Sequence, residues 1–273
     1  MSVLNSDSAA DRVDTTKPHP ARRYDYWLGG KDNFPADRES ADAVAEAFPT
    51  VQLSAVENRN FLRRAVAYLT GEAGIRQFLD IGSGLPTAGN VHEIAQGIAP
   101  ESRIVYVDND PIVQVHARHL LDSSPAGKTA YLDADLRDPQ HILTQPDLLA
   151  TLDLSKPVAL MVVAVAHFMT DELHPYELVR QLTDALAPGS YLVMSHATND
   201  YLDEHDRARS AAANARSGVP FQLRSSAEFA KFFDGFTVVP PGITAVTLWR
   251  PEEYRPHPRP EAVAMLAAVG RIP

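Results

Sequence analysis

The chain has 273 residues, 45% hydrophobic and 22% charged, enough for one large α/β domain or two small ones. It contains no Cys, which excludes disulfides, thiolate catalysis and Cys-ligated zinc, and its formal net charge of −10 argues against holding nucleic acid by charge alone. The longest apolar run, residues 158–166, is too short to span a bilayer, and no charged-then-apolar signal segment opens the chain, so a cytoplasmic location is expected.

Residues 1–19 are rich in Ser, Asp and Thr, nearly lack large apolar side chains, and read as a disordered tail. In residues 20–34, rings, charges and the Gly29-Gly30 pair crowd together without helical or strand period. This stretch is either an arm that lays its rings on the core or a lid over a ligand, closed by Arg22, Tyr24, Tyr26, Trp27, Lys31 and Asn33. Two amphipathic helices follow. Ala41, Val44, Ala45 and Phe48 form one stripe, ended by Pro49; Phe61, Leu62, Ala65, Val66 and Leu69 form the second, ended near Gly71. Asn58, Arg59 and Arg63 on that second helix are expected in solvated or capping roles. Residues 20–72 thus make an N-terminal helical cap on a domain spanning 73–273.

From Ile75 onward strands and helices alternate, the signature of βαβ units and a parallel sheet. The first strand, residues 77–81, is short and apolar and runs into a turn at Gly82 and Gly84, where the missing Cβ lets backbone bend sharply and approach a ligand. Pro86 is expected in the first turn of the next helix, whose apolar stripe is Val91, Ile94, Ala95 and Ile98. Further strands are expected at 103–107, 129–132, 158–165 and 191–195, with helices at 111–121, 139–150 and 171–187 between them. A polar, Ala-rich helix should cover 201–216, and Ser225 or Ser226 should cap a short helix bearing Phe229, Phe232 and Phe233. Segments 236–239 and 245–248 flank Pro240-Pro241-Gly242 without room for a crossover helix, which implies an antiparallel ending, and 261–269 reads as a short closing helix.

In a doubly wound sheet, ligands gather at the carboxyl ends of the strands. Those ends carry Asp80, Gly82, Ser83 and Gly84; then Asp108; then Asp135; then His167; then His196. A carboxylate about 20 residues past a glycine turn is placed to bind a ribose diol, and Asp108 stands near that position. The dinucleotide fingerprint G-x-G-x-x-G is poorly matched, since Leu85, Pro86 and Thr87 follow Gly84. The second acid, Asp135, and the antiparallel ending fit S-adenosylmethionine (SAM) better than NAD. No P-loop is present. His116 and His119 lie three apart on a helix with no further ligand in view, so no metal site is expected. The acidic run Asp200, Asp203, Glu204, His205 and Asp206 is either a solvated helix face or a lid beside an acceptor pocket.

These segments together resemble a class I, SAM-dependent methyltransferase. More narrowly, Ala21-Arg22-x-Tyr24-Asp25-Tyr26-x-Leu28-Gly29-Gly30-Lys31-Asp32-Asn33, Asn58-Arg59-x-Phe61-Leu62 and Asp80-Ile81-Gly82-Ser83-Gly84-Leu85-Pro86-Thr87 resemble a bacterial S-adenosyl methyltransferase family formerly catalogued as a domain of unknown function. The resemblance implies a Rossmann-like, mostly parallel seven-stranded sheet with an antiparallel last strand. It also implies that Asp80, Gly82, Ser83 and Gly84 lie beneath the methionine part of SAM, that Asp108 binds the ribose and that Asn109 lies against adenine. Asp135 would accept from the adenine amino group, and Leu136 would add a backbone contact. Tyr24, from the ring-rich stretch, is expected at the cofactor on composition, as part of a lid over SAM or its acceptor. The segment 164–168, beginning at Ala164, would face the reacting methyl. Pro86 departs from the glycine many relatives carry there.

Methyl transfer needs a positioned nucleophile, and a general base only where the acceptor must lose a proton; His167 and His196 are the candidates. The expected acceptor is a small molecule, with no nucleic-acid or membrane partner; the chain carries no aromatic-and-basic run that would form a strand-binding groove. Two other readings stand beside this one: a SAM-binding sensor or accessory protein, and an NAD-linked oxidoreductase. An open, polar-lined pocket next to the methyl position would favour the enzyme, and a sealed site would favour the sensor.

Overall fold

The computed structural model describes residues 11–120, 122–254 and 256–273, with the side chains of 117–120 left aside. Residues 1–10 of the expected tail, and Leu121 at the end of the helix expected at 111–121, lie outside this description. Among the tail residues described, Arg12 donates to Asp133 at 2.8 Å and the Asp14 carbonyl accepts from Arg22 at 3.1 Å.

The N-terminal cap is three helices: α1 (Pro20–Trp27), α2 (Pro35–Ala47) and α3 (Val51–Gly71). The first corrects the expectation of an aperiodic arm. Pro20 occupies the first turn, where its missing N–H costs nothing, and the polar residues that hid the helical period, Arg22, Arg23 and Asp25, are buried rather than solvated. Asp25 accepts from Asn33 at 2.8 Å and from the Asp32 backbone at 3.0 Å; Arg22 pairs with Asp110 at 3.0 Å and Asp37 at 3.5 Å. Charges fastened this way tie α1 down instead of facing water.

The sheet follows: β1 (Gln77–Ile81), β2 (Arg103–Asp108), β3 (Lys128–Asp133), β4 (Ala159–Val163), β5 (Tyr191–Ala197), β6 (Thr237–Val238), β7 (Thr244–Ala245) and β8 (Met265–Arg271). Its order is β3-β2-β1-β4-β5-β8-β6, parallel through β5 and antiparallel at β8, with β7 also pairing β8. β6 and β7, two residues each, share the outer edge of β8, so eight strands fill the seven expected positions. The antiparallel ending is carried mainly by β8, across residues expected to be helical. Only Pro260–Val263 forms a helix there; Ala264 turns at φ 44, and the run Met265–Val269 is buried on both faces, which erases the alternation that marks a half-exposed strand.

Helices α4 (Val91–Ile98), α5 (Pro111–Leu120), α6 (Pro139–Leu143), α7 (Pro146–Thr151) and α8 (Pro175–Asp184) follow β1 to β4, and α9 (Glu204–Arg216), α10 (Ser226–Ala230) and α11 (Pro260–Val263) follow β5. Successive side chains leave opposite faces of a strand. Phe78, Tyr106, Met161 and Val193 therefore pack with Phe61, Leu62 and Leu69 of α3 on one side. Leu79, Val107, Leu160 and Met194 pack with Val179 and Leu182 of α8 on the other. No described helix is long and apolar enough to cross a membrane.

Candidate functional site

The glycine turn is held by its neighbours. Both the Gly82 and Ser83 N–H groups donate to the Val107 carbonyl, at 2.7 and 3.1 Å, so the turn bends back over β2. Gly82 has φ +70°, and a Cβ there would meet Val165 Cγ2 at 2.4 Å; Gly84 has φ +67°, and a Cβ there would meet nothing within 4 Å. The first glycine is required by packing, and the second opens onto space. The helix expected from Pro86 begins at Val91 instead. Glu93 accepts from the Asn90 and Gly89 N–H groups, at 3.0 and 2.6 Å, so the start of α4 is already capped and offers less to a ligand than the turn does.

Two cavities open at this edge of the sheet. The larger, about 380 Å³, is lined by all ten residues expected to hold the cofactor: Asp80, Gly82, Ser83, Gly84, Asp108, Asn109, Asp135, Leu136, Ala164 and Tyr24. Asp108 Oδ2 accepts from Gly84 N–H at 2.7 Å and Oδ1 from Asp110 N–H at 3.0 Å; burial raises its pKa, and these two N–H groups oppose the rise. Burial also pushes Asp135 up, but Arg137 (Nη2 at 2.5 Å) and Asn109 (2.6 Å) outweigh it and hold the carboxyl below its usual range. Asp80 is raised to about 7 by burial, with Arg59 opposing and Asp108 adding to the rise. The lining also includes Ser83 and Thr87, whose hydroxyl oxygens are buried without a partner. Buried polar atoms of that kind are few in a folded protein and fit a polar ligand that would complete them.

Arg59 was expected in a solvated or capping role. It lines this cavity, its charge reaches Asp80, and it donates to the Gly89 carbonyl at 3.0 Å. Asn58, its neighbour, is buried at the centre of a polar chain. Ala164 N–H donates to Ser195 Oγ (2.9 Å), which donates to Asn58 Oδ1 (2.5 Å); Asn58 Nδ2 donates to the Tyr24 hydroxyl (2.9 Å), which donates to the Ala55 carbonyl (2.9 Å). The chain ties the end of β4 to α3 and α1. It also holds Ala164, a non-glycine residue, at φ 58°, a left-handed conformation that costs about 1–2 kcal/mol.

The second cavity, about 110 Å³, shares Tyr24, Ala164 and Phe168 with the first. Arg23, Trp27, Phe48, His167 and Phe221 add rings and one charge, and Ser210, Ala213 and Asn214 of α9 close a side. Of the residues expected in a lid, Tyr24 and Trp27 line a cavity. Arg22, Tyr26 and Asn33 instead anchor the cap, Tyr26 through Asp42 at 3.2 Å and Asn33 through Asp25, and neither cavity is lined by them or by Lys31. The acidic run sits at the start of α9, where Asp203 caps the helix by accepting from Asp206 N–H at 2.8 Å.

The two histidines separate. His167 lines the second cavity; burial, then the charges of His196, Arg23 and Arg224, hold its pKa well below the usual value, so it is neutral. Its Nδ1 accepts from Ala197 N–H at 3.4 Å. His196 is fully buried and lines neither cavity. Its Nδ1 donates to the Ala197 carbonyl at 2.7 Å and its Nε2 accepts from Arg224 at 2.9 Å. Burial foremost, with Arg224 adding, lowers its pKa to about 3.

A sequence profile described as S-adenosyl methyltransferase matches residues 6–273, and the chain belongs to that family. SAM is its cofactor, and the NAD-linked reading is set aside. Two solved structures are similar over nearly the whole chain. A DUF574 family protein from Streptomyces avermitilis MA-4680 is 48% identical, covering 96% of this chain and 100% of its own, with a TM-score of 0.91. A protein from Thermobifida fusca YX, provisionally described as a methyltransferase, is 41% identical, covering 99% of both chains, with a TM-score of 0.88. Among curated proteins none matches closely enough to be counted a relative.

Proposed function

We propose that this protein methylates a small-molecule acceptor held in the second cavity, with SAM in the first. The observation that carries the reading is the shared wall of Tyr24, Ala164 and Phe168, which puts an apolar pocket directly beside the cofactor space. A sensor needs no such pocket. The pocket is apolar where a polar-lined one was anticipated, which suits an acceptor bound mainly by ring contacts. The net charge of −10 weighs against nucleic acid, and the cytoplasmic placement rests on composition alone.

When bound, SAM supplies an activated methyl group and its own leaving group. The chain's part is to bind, orient and exclude water. Asp108 would accept from the ribose hydroxyls, Asn109 and Leu136 would border the adenine, and Asp135 would accept from its amino group. Asp80 and Arg59, opposite charges on one wall, suit the ammonium and carboxylate of the methionine part, with Gly82, Ser83 and Gly84 beneath it. The polar chain through Asn58 keeps Tyr24 and Ala164 fixed between the two spaces. His167 is the group we assign to the acceptor's side; with Nδ1 held by a backbone N–H, its neutral ring carries the proton on Nε2 and offers a donor there. His196 has both ring nitrogens committed and serves the packing of β5 against Arg224.

The test is S-adenosylhomocysteine formation from SAM with a panel of one-ring carboxylic acids, phenols and amines. Acceptor-dependent turnover is expected. SAM binding with no turnover on any acceptor would favour the sensor instead.

A further inference from the structure

The acceptor side of this site holds a buried cation that pairs with no carboxylate among the described residues. Arg23 is 2% exposed, and its guanidinium carbon lies 5.6 Å from the Trp27 ring centroid and 5.8 Å from that of Phe168. Among the described residues its hydrogen bonding amounts to one long contact, Nη1 to Ser40 Oγ at 3.3 Å; Nε is buried with no partner. The acid whose charge reaches it, Asp37, is committed elsewhere. Asp37 accepts from His19 N–H at 2.8 Å and Phe34 N–H at 2.9 Å, and pairs with Arg22 at 3.5 Å. Burial draws the Arg23 pKa down to about 10, offset in part by Asp37, so the group stays charged at neutral pH.

Folds rarely bury a guanidinium without a carboxylate or phosphate, because desolvation is not repaid. The missing partner therefore points to a ligand. Arg23 faces the second cavity beside Trp27, Phe48, Phe168 and Phe221. An apolar cavity of about 150 Å³ accommodates benzene, so roughly 110 Å³, joined to the first cavity at Tyr24, Ala164 and Phe168, limits the ligand to a single small ring or a short chain. Planar walls set the body of the ligand, and a fixed fork of N–H donors sets its charge.

We propose that Arg23 selects the methyl acceptor as a small, one-ring or short-chain carboxylate, its anionic group paired with the Arg23 guanidinium inside the second cavity. This rests on the methyltransferase reading above. Lys would keep the charge but lose the fork; an apolar residue would lose both.

The experiment is ligand-observed NMR on the full chain saturated with S-adenosylhomocysteine, whose own binding is checked by calorimetry in the same sample. The probes are benzoate, phenylacetate and hexanoate, each against its neutral amide. At least one carboxylate should bind the wild type at least tenfold more tightly than its amide. Arg23→Met should erase that preference, and Arg23→Lys should keep part of it. If the chain binds S-adenosylhomocysteine but carboxylate and amide bind alike, or neither binds, the assignment of Arg23 is overturned while the methyltransferase reading survives. Absence of S-adenosylhomocysteine binding would overturn both. Should Arg23→Met fail to fold, the wild-type comparison alone decides.

Discussion

Asp80 carries the most informative titration in the molecule. Its folded pKa, about 7, is raised above the unfolded value chiefly by burial. A carboxyl raised in this way binds more protons folded than unfolded, so its contribution to stability falls as pH rises from about 4 to about 7. The positive charge of SAM reverses the preference by favouring the ionised form. SAM affinity should therefore rise with pH through about 7, and Asp80→Asn should flatten that rise; calorimetry at pH 6 and pH 8 reads both. His167, neutral already, should add no inflection near the ordinary histidine value. Asp108→Ala should weaken SAM binding by about 1–3 kcal/mol, because ribose hydroxyls would lose their acceptor. Unchanged calorimetric affinity would remove Asp108 from the cofactor site.

At the scale of elements, the strand–turn–helix after Ile75 was legible in the sequence, and so were the acids at the strand ends, because strand ends follow directly from where apolar runs stop. What stayed hidden was burial of polar residues. Asn58 read as a solvated or capping group and Arg22 as part of a lid, with nothing to mark Arg23 or Asp25 as buried; all four are buried in the fold, and this concealed both helix α1 and the polar chain through Asn58. β8 was hidden for the opposite reason, since a strand covered on both faces shows no alternation. His196 looked equivalent to His167 because sequence gives strand position but not the Arg224 side chain that fills its Nε2. The two glycines give a prediction for the turn. Gly82→Ala forces a Cβ against Val165 and should destabilise the fold by more than the left-handed cost of about 1–2 kcal/mol, whereas Gly84→Ala should incur little beyond that cost. Urea denaturation of the two variants compares them directly; equal losses would mean the Val165 contact is not the constraint.

Across the whole molecule, the cap and the sheet build one site between them. α1 brings Tyr24 and, in our reading, the acceptor-selecting Arg23. α3 brings Asn58 and Arg59, and β1 to β4 with the turns after them bring the acids we assign to the cofactor and the Ala164 and Phe168 side of the shared wall. Asn58→Leu breaks the chain between them, leaving Ser195 and Tyr24 short of partners. It should cost about 1–3 kcal/mol of stability and lower methyl-transfer rate as well, read by denaturation and by turnover on the same preparation. The measurement that bears most directly on the account is a crystal structure with S-adenosylhomocysteine bound. The account predicts its sulfur at the wall formed by Tyr24, Ala164 and Phe168, facing the second cavity. A sulfur directed away from that wall, or a second cavity closed off from it, would contradict the assignment of the acceptor site.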